Sequence, residues 1–211
     1  MARKRVAILI SGRGSNMVAL IEAARDTGYP AEIVLVVSNE PDAQGLERAR
    51  AAGIATAVAD HRPFGKDRQA FERALQAAIE PHAIDIVCLA GFMRLLTPWF
   101  ISQWDGRLIN IHPALLPALK GLDTHARALA AGAKQHGATV HFVVPEMDSG
   151  PIIVQQAVPV LPDDTEATLA ARVLAAEHKI YPLALRLVAE GRTRISGSQC
   201  LVDGIAVPPA G

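Results

Sequence analysis

The sequence predicts an α/β fold: a doubly wound, mostly parallel sheet flanked by helices, with an antiparallel extension in the C-terminal half. Three observations carry this. Short runs rich in Val and Ile recur through the first 112 residues, apolar at consecutive positions, as strands covered on both faces are. Between them lie segments whose apolar residues fall at spacings of three and four, the helical period. Past Pro113 two further β-like runs flank Asp148-Ser149-Gly150-Pro151, a turn-forming sequence.

Taken in order, the strand runs of the first half are Val6 to Ile10, Ile33 to Val37, a weaker one at Ile54 to Val58, Ile84 to Ala90, and Leu108 to Ile111. Helical segments are expected at Met17 to Ala24, Gly45 to Ala52 and Arg68 to Ile79. Strands alternating with helices in this way form a parallel sheet covered on both sides. The stretch Pro113 to Gly121 reads as a structured loop, followed by a short helix from Thr124 to Ala131. Thr139 to Val144 and Ile152 to Val160 are the antiparallel pair. A long helix is expected from Asp164 to about Gly191, with Asp163, Asp164 or Thr165 as N-cap and Glu166 in its first turn. Pro182 is expected to kink or divide it.

The 211 residues suit one α/β domain, with a core from about 5 to 192 and a tail, 193–211, that adds little to it and frays at its end. Basic and acidic side chains balance at 21 each, which argues against a nucleic-acid or anionic-membrane partner, since both call for a basic surface. Two cysteines, Cys88 and Cys200, are too few for a disulfide framework or a four-ligand zinc site, and Cys88 sits in an apolar run as a buried thiol. The apolar stretch behind Arg3-Lys4-Arg5 stops after five residues, shorter than a secretory signal needs. A cytoplasmic protein is expected.

The first strand ends in Ser11-Gly12-Arg13-Gly14-Ser15-Asn16, and a helix follows at once. Glycines let the backbone turn tightly and bare N–H groups at a helix N-terminus, where the helix dipole favours an anion. The sequence is not a P-loop, and Met17 stands where a dinucleotide fingerprint needs glycine. A single terminal phosphate, held by the Gly14 and Asn16 amides and the Ser15 hydroxyl, is the functional reading. A plain strand-to-helix turn capped by Ser15 or Asn16 explains the same residues equally well.

A second constellation lies at Asn110-Ile111-His112-Pro113. Side chains alternate along a strand, so Asn110 and His112 share a face, about 6 to 7 Å apart. Strand carboxyl ends border the ligand crevice of open α/β sheets. An amide donor beside a proton-carrying imidazole suits a tetrahedral intermediate in which an oxygen becomes negative while a nitrogen exchanges a proton. Asp148, in a turn sharpened by Gly150 and Pro151, is the carboxylate that would hold the imidazole and favour its charged form. On the residues alone, backbone bonding by Asn110 and His112 and an ordinary turn role for Asp148 stay open.

Together these segments resemble the folate-dependent formyltransferases, in the branch that acts on glycinamide ribonucleotide. The likeness runs through Ile10-Ser11-Gly12-Arg13-Gly14-Ser15-Asn16, Gly45-Leu46-Glu47-Arg48-Ala49, Leu89-Ala90-Gly91-Phe92-Met93-Arg94 and Asn110-Ile111-His112-Pro113-Ala114-Leu115-Leu116-Pro117. It continues through Val140-His141-Phe142-Val143, Asp148-Ser149-Gly150-Pro151-Ile152-Ile153 and Glu177-His178-Lys179-Ile180-Tyr181-Pro182. The N-x-H-P-x-L-L-P run with a later D-x-G-P marks the superfamily, and the G-x-G-S-N loop narrows it to the ribonucleotide branch.

The resemblance implies a Rossmann-like formyltransferase fold, and a reaction in which the formyl group of 10-formyltetrahydrofolate passes to the amine of glycinamide ribonucleotide. It implies Asn110, His112 and Asp148 as catalytic residues. Gly14, Ser15 and Asn16 would hold the ribonucleotide phosphate, and Glu177 its ribose hydroxyls. The folate would meet Arg68, Met93, Arg94, Leu95, Leu96 and Asn110, together with Val144, Pro145, Glu146, Met147 and Asp148. A cis peptide is implied at Leu116-Pro117. No metal is implied, and no H-E-x-x-H or comparable spacing is present. A monomer or homodimer is expected. Two departures from the family stand out: Leu174 replaces a longer polar residue, and Ala118 to Asp123 lacks the aromatic or second histidine common there. Of the other histidines, His141 is expected in the core, His125 along the loop side of the site, and His61, His82 and His136 at the surface or in loops.

Rival readings are weighed by the same features. A methionyl-tRNA formyltransferase would carry a C-terminal RNA-binding domain and a formyltetrahydrofolate hydrolase an N-terminal regulatory one, and the length of this chain leaves room for neither. A sugar-nucleotide formyltransferase shares the catalytic trio and differs at the phosphate loop. A non-catalytic nucleotide-binding module would bind ligand without turnover.

Overall fold

The computed structural model describes residues 2–209; the expected fraying tail therefore ends, at Ala210 and Gly211, outside the described residues. In chain order the elements are β1 (Lys4–Ile10), α1 (Ser15–Ala24), β2 (Ala31–Ser38), α2 (Gln44–Ala51), β3 (Ala55–Val58), α3 (Arg68–Ile79), β4 (Ile86–Leu89), α4 (Pro98–Gln103) and β5 (Leu108–His112). There follow α5 (Thr124–Ala130), β6 (Gln135–Phe142), β7 (Ile152–Pro159), α6 (Glu166–Ala189), β8 (Thr193–Ser196), β9 (Gln199–Val202) and β10 (Ile205–Ala206). The main sheet has seven strands in the order β3-β2-β1-β4-β5-β6-β7, and β10-β9-β8 form a separate small sheet. This is the mostly parallel α/β architecture that the sequence predicts. The chain divides into two compact units, Met1–Asn110 and Ile111–Gly211.

In the first unit every strand pairing is parallel: β1 with β2 and β4, β2 with β3, and β4 with β5. Val6 to Ile10 have no exposed surface at all, which is why this part of β1 is apolar at consecutive positions rather than at alternate ones. Helix α1 buries Met17, Leu20 and Ile21, spaced three and four apart as one face requires. Asp67 caps α3 by accepting from the Ala70 amide at 2.9 Å. The six-residue α4 was not foreseen, because it is too short to show a period. It starts at Pro98, directly after Thr97, whose amide donates at 2.5 Å to the wholly buried carboxylate of Glu72. The Thr97 hydroxyl donates to the same carboxylate.

In the second unit β6 and β7 pair antiparallel, with a register shift between Val140 and His141. Helix α6 packs on both strands through Leu169, Val173, Ala176, Ile180, Tyr181, Ala184 and Leu185. Its cap is Thr165, in a reciprocal box with Thr168. Of the two outcomes expected of Pro182, a kink or a division, the division does not occur: the helix runs unbroken from Glu166 to Ala189. A proline inside a helix costs about 3 kcal/mol, and the long buried face on either side of Pro182 outweighs that. Residues 193–206, expected as part of a loose tail, form a three-stranded sheet. It is held by the buried Cys200 and by Arg192, whose Nε donates to Asp203 at 2.9 Å. His136 is a further correction: it lies within β6 and is buried, not at the surface.

Candidate active site

The loop after β1 has the geometry of an anion cradle. Gly14 sits at φ +68° as the residue before α1, a left-handed conformation that suits glycine. As a glycine, Gly14 brings no side chain to the N-cap position of α1. The first amides of α1 have no intrahelical acceptor. A cavity of about 280 Å³ opens here, lined by residues 11–16 together with Ala90, Gly91 and Met93.

Gly45, whose importance the sequence alone did not reveal, shapes this loop. Its amide donates to the Gly12 carbonyl at 3.0 Å, and a Cβ there would stand 2.4 Å from Cδ1 of Ile10. Only glycine lets α2 approach so closely. The signal was present in the sequence as a glycine early in a helix, but its meaning depends on a contact 31 to 35 residues away.

The second unit builds a carboxylate and imidazole cluster. Asp148 Oδ2 lies 3.6 Å from His112 Nδ1 and accepts from the Gly121 amide at 2.8 Å. His112 is buried, and its Nε2 is 2.9 Å from the Leu119 carbonyl. A carbonyl oxygen can only accept, so Nε2 carries a proton there. The proton that distinguishes neutral from charged His112 therefore resides on Nδ1, the nitrogen facing Asp148. Asp148 itself has φ +50°, a strained conformation of the kind found at functional sites. The turn that carries it depends on Gly150, where a Cβ would meet the Phe142 carbonyl at 1.7 Å. The Leu116-Pro117 peptide is cis.

His141 is buried, as expected of a core histidine, yet it also faces the cluster: Nε2 is 3.9 Å from Asp148 Oδ1. Burial pushes its imidazole toward the neutral form. Nδ1 donates to the Phe142 carbonyl at 2.9 Å. The β6 register shift at Val140/His141 turns the strand at this point, which an alternation pattern cannot show. His125 Nδ1 lies 3.1 Å from His136 Nε2. Burial lowers the pKa of both, that of His136 to about 4.

The remaining sequence candidates fall as follows. Asn110 ends the first unit and is half-buried on β5, the strand that also carries His112. Glu177 is buried on α6. Arg68 is the exposed first residue of α3. Met93 and Leu95 are 66% and 60% exposed, while Arg94 and Leu96 are half-buried. Val144 is half-buried, and Pro145, Glu146 and Met147 are exposed. Among the described residues no group of three His, Cys, Asp or Glu is placed to hold a metal ion, and no helix is long and apolar enough to cross a membrane.

Residues 4–185 match the family model described as formyl transferase. The match covers most of the chain, and the chain belongs to the formyl transferase family. It is 47% identical to phosphoribosylglycinamide formyltransferase of Escherichia coli (strain K12), over 98% of this chain and 97% of that one. It is 48% identical to the Homo sapiens trifunctional purine biosynthetic protein adenosine-3 over 95% of its own length, but spans only 20% of that larger protein. The crystal structure of glycinamide ribonucleotide transformylase 1 from Symbiobacterium toebii superposes with a TM-score of 0.92, at 44% identity, covering 95% of this chain and 94% of that one.

Proposed function

We propose that this protein is a phosphoribosylglycinamide formyltransferase, transferring the formyl group of 10-formyltetrahydrofolate to the amine of glycinamide ribonucleotide in purine biosynthesis. The observation that carries the reading is the match to the Escherichia coli enzyme along nearly the whole of both chains. The His112–Asp148 pair gives it a chemical basis.

The amine nitrogen forms a bond to the formyl carbon, and the carbonyl oxygen becomes an oxyanion. Asn110 donates a hydrogen bond to that oxygen, worth most where it develops charge. Collapse breaks the bond from the formyl carbon to N10 of the folate. The proton lost by the amine ends on N10, so the transfer is neutral overall. His112 carries that proton between the nitrogens, and Asp148 pairs with the ring while it is charged. The helix-terminal amides at Gly14 to Asn16 bind the ribonucleotide phosphate, and Glu177 binds its ribose hydroxyls. Arg68, the 93–96 segment and residues 144–148 bind the folate. The chain works as a single catalytic domain in the cytoplasm, without metal and without a nucleic-acid or membrane partner.

The test is product identification by mass spectrometry. Incubation with both substrates is expected to yield formylglycinamide ribonucleotide and tetrahydrofolate in equal amounts, with neither formed when one substrate is omitted. Tetrahydrofolate released without a formylated ribonucleotide would show hydrolysis and remove this reading.

A further inference from the structure

Residues 91–97 cross the first unit without regular secondary structure, yet they carry Met93 and Leu95, two of its most exposed large apolar side chains. Such a stretch keeps one conformation only if its backbone is held from outside. Two side chains hold it. At the far end Glu72 receives the Thr97 amide. At the near end stands Ser11, whose amide donates to the Gly91 carbonyl at 3.0 Å and whose hydroxyl accepts from the Met93 amide at 2.7 Å. Between those two bonds the chain turns through Gly91 at φ +74°.

The direction of the bonding around Ser11 is forced. The Met93 N–H can only donate, so the hydroxyl must send its own proton elsewhere. It donates to Asn39 Oδ1 at 2.5 Å. That orients the Asn39 amide with Nδ2 toward Glu40, whose Oε1 accepts at 3.2 Å. Asn39 is 1% exposed, and both its backbone carbonyl oxygen and its Nδ2 lie 3.2 Å from His61 Nδ1. A buried amide is costly unless bonded. The result is a polarised chain from the Met93 backbone to a carboxylate, in which each bond strengthens the next. Ser11 also lines the cavity of the anion loop.

We infer that Ser11, held by Asn39, is a positioning residue for the formyl donor: it fixes the 91–95 backbone against which the donor's heteroaromatic ring lies. The inference rests on the formyl-transfer reading above, and adds to it a residue that makes no bond to the reacting atoms. Loss of the hydroxyl releases the Met93 amide while leaving the His112–Asp148 cluster untouched.

The experiment compares wild type with Ser11→Ala and Ser11→Thr in steady-state kinetics, in calorimetric binding of tetrahydrofolate, and in thermal unfolding. Ser11→Ala is expected to raise the KM for 10-formyltetrahydrofolate and the Kd for tetrahydrofolate about tenfold, the scale of one lost buried hydrogen bond. The ribonucleotide KM should rise by less than the donor KM, because the Gly14 to Asn16 amides are not bonded to the Ser11 hydroxyl, and Ser11→Thr, which keeps the hydroxyl, should recover most of the donor affinity. Asn39→Ala leaves Ser11 in place and should weaken the donor in the same way, so it carries the test if Ser11→Ala does not fold. Tetrahydrofolate binding as tight as wild type in both alanine variants would overturn the inference. So would losses in kcat and both KM values that simply follow a fall in Tm. A wild-type protein that neither transfers formyl nor binds tetrahydrofolate overturns the functional reading, and the inference with it.

Discussion

Oδ2 of Asp148 lies 3.6 Å from Nδ1 of His112, with both side chains almost withdrawn from water. The pair is set by opposite means. His112 comes from the end of a strand, while Asp148 comes from a turn at positive φ, held by the Gly121 amide and by the absence of a Cβ at Gly150.

If Asp148 serves the imidazole rather than the ribonucleotide, Asp148→Asn lowers kcat at least about a hundredfold, the scale of general acid–base catalysis. The ribonucleotide KM should move less than about threefold. Steady-state kinetics with each substrate varied will separate the two, and equal losses in kcat and in affinity would make Asp148 a binding residue.

The same turn is sensitive to a single methyl group. Gly150→Ala places a Cβ 1.7 Å from the Phe142 carbonyl and 3.5 Å from His141 Nδ1. The turn must move away from β6, carrying Asp148 with it. A fall in kcat of more than about tenfold is expected, with a loss of stability of about 1–3 kcal/mol from overpacking. Circular dichroism melts beside kinetics will measure both, and wild-type kcat in the variant would show that Asp148 does not depend on this turn.

At the anion loop, Ser15→Asp sets a negative charge beside the proposed phosphate. Like charges at about 4 Å cost roughly 1–4 kcal/mol between bulk water and a protein surface. The ribonucleotide KM should therefore rise about tenfold or more, with the effect shrinking as salt is added. An unchanged KM removes the phosphate from this loop.

Stability should fall on the acid side through His136. Its pKa is about 4 in the folded chain, because burial disfavours the charged ring, against an ordinary 6.5. The unfolded chain thus binds a proton more readily than the folded one. The contribution is fully present above about pH 6.5 and is lost as pH falls toward 4, at most about 3 kcal/mol in all. His125 is shifted the same way and shares the bond that protonation breaks. Urea unfolding from pH 7 to pH 4 should show this loss reduced in His136→Asn, and an identical pH dependence in wild type and variant would assign the acid lability elsewhere.

Much of this was legible in the sequence, for physical reasons. Consecutive apolar residues at 6–10 suit a strand covered on both faces, and the three-and-four spacing of Met17, Leu20 and Ile21 suits one helix face. That Pro182 leaves α6 undivided was not legible, because its local cost is fixed while the packing that opposes it is spread over the length of the helix. The strands at 193–206 were missed because they are two to four residues long and mostly exposed. At the candidate site, residue chemistry singled out His112 and Asp148. The sequence could not show that His141 flanks the same carboxylate, since a register shift redirects it. Nor could it show that Gly45 shapes the loop after β1 or that Ser11 holds the Gly91 to Met93 backbone, because those roles exist only in contacts between distant segments.

The most direct test of the central claim is an acceptor comparison, following tetrahydrofolate formation by absorbance with 10-formyltetrahydrofolate as donor. Glycinamide ribonucleotide, water alone and an amino-sugar nucleotide are offered in turn. Turnover with the ribonucleotide, at least about a hundredfold above the other two, is the result expected. Turnover with the amino-sugar nucleotide alone, or at equal rate without any acceptor, would contradict it.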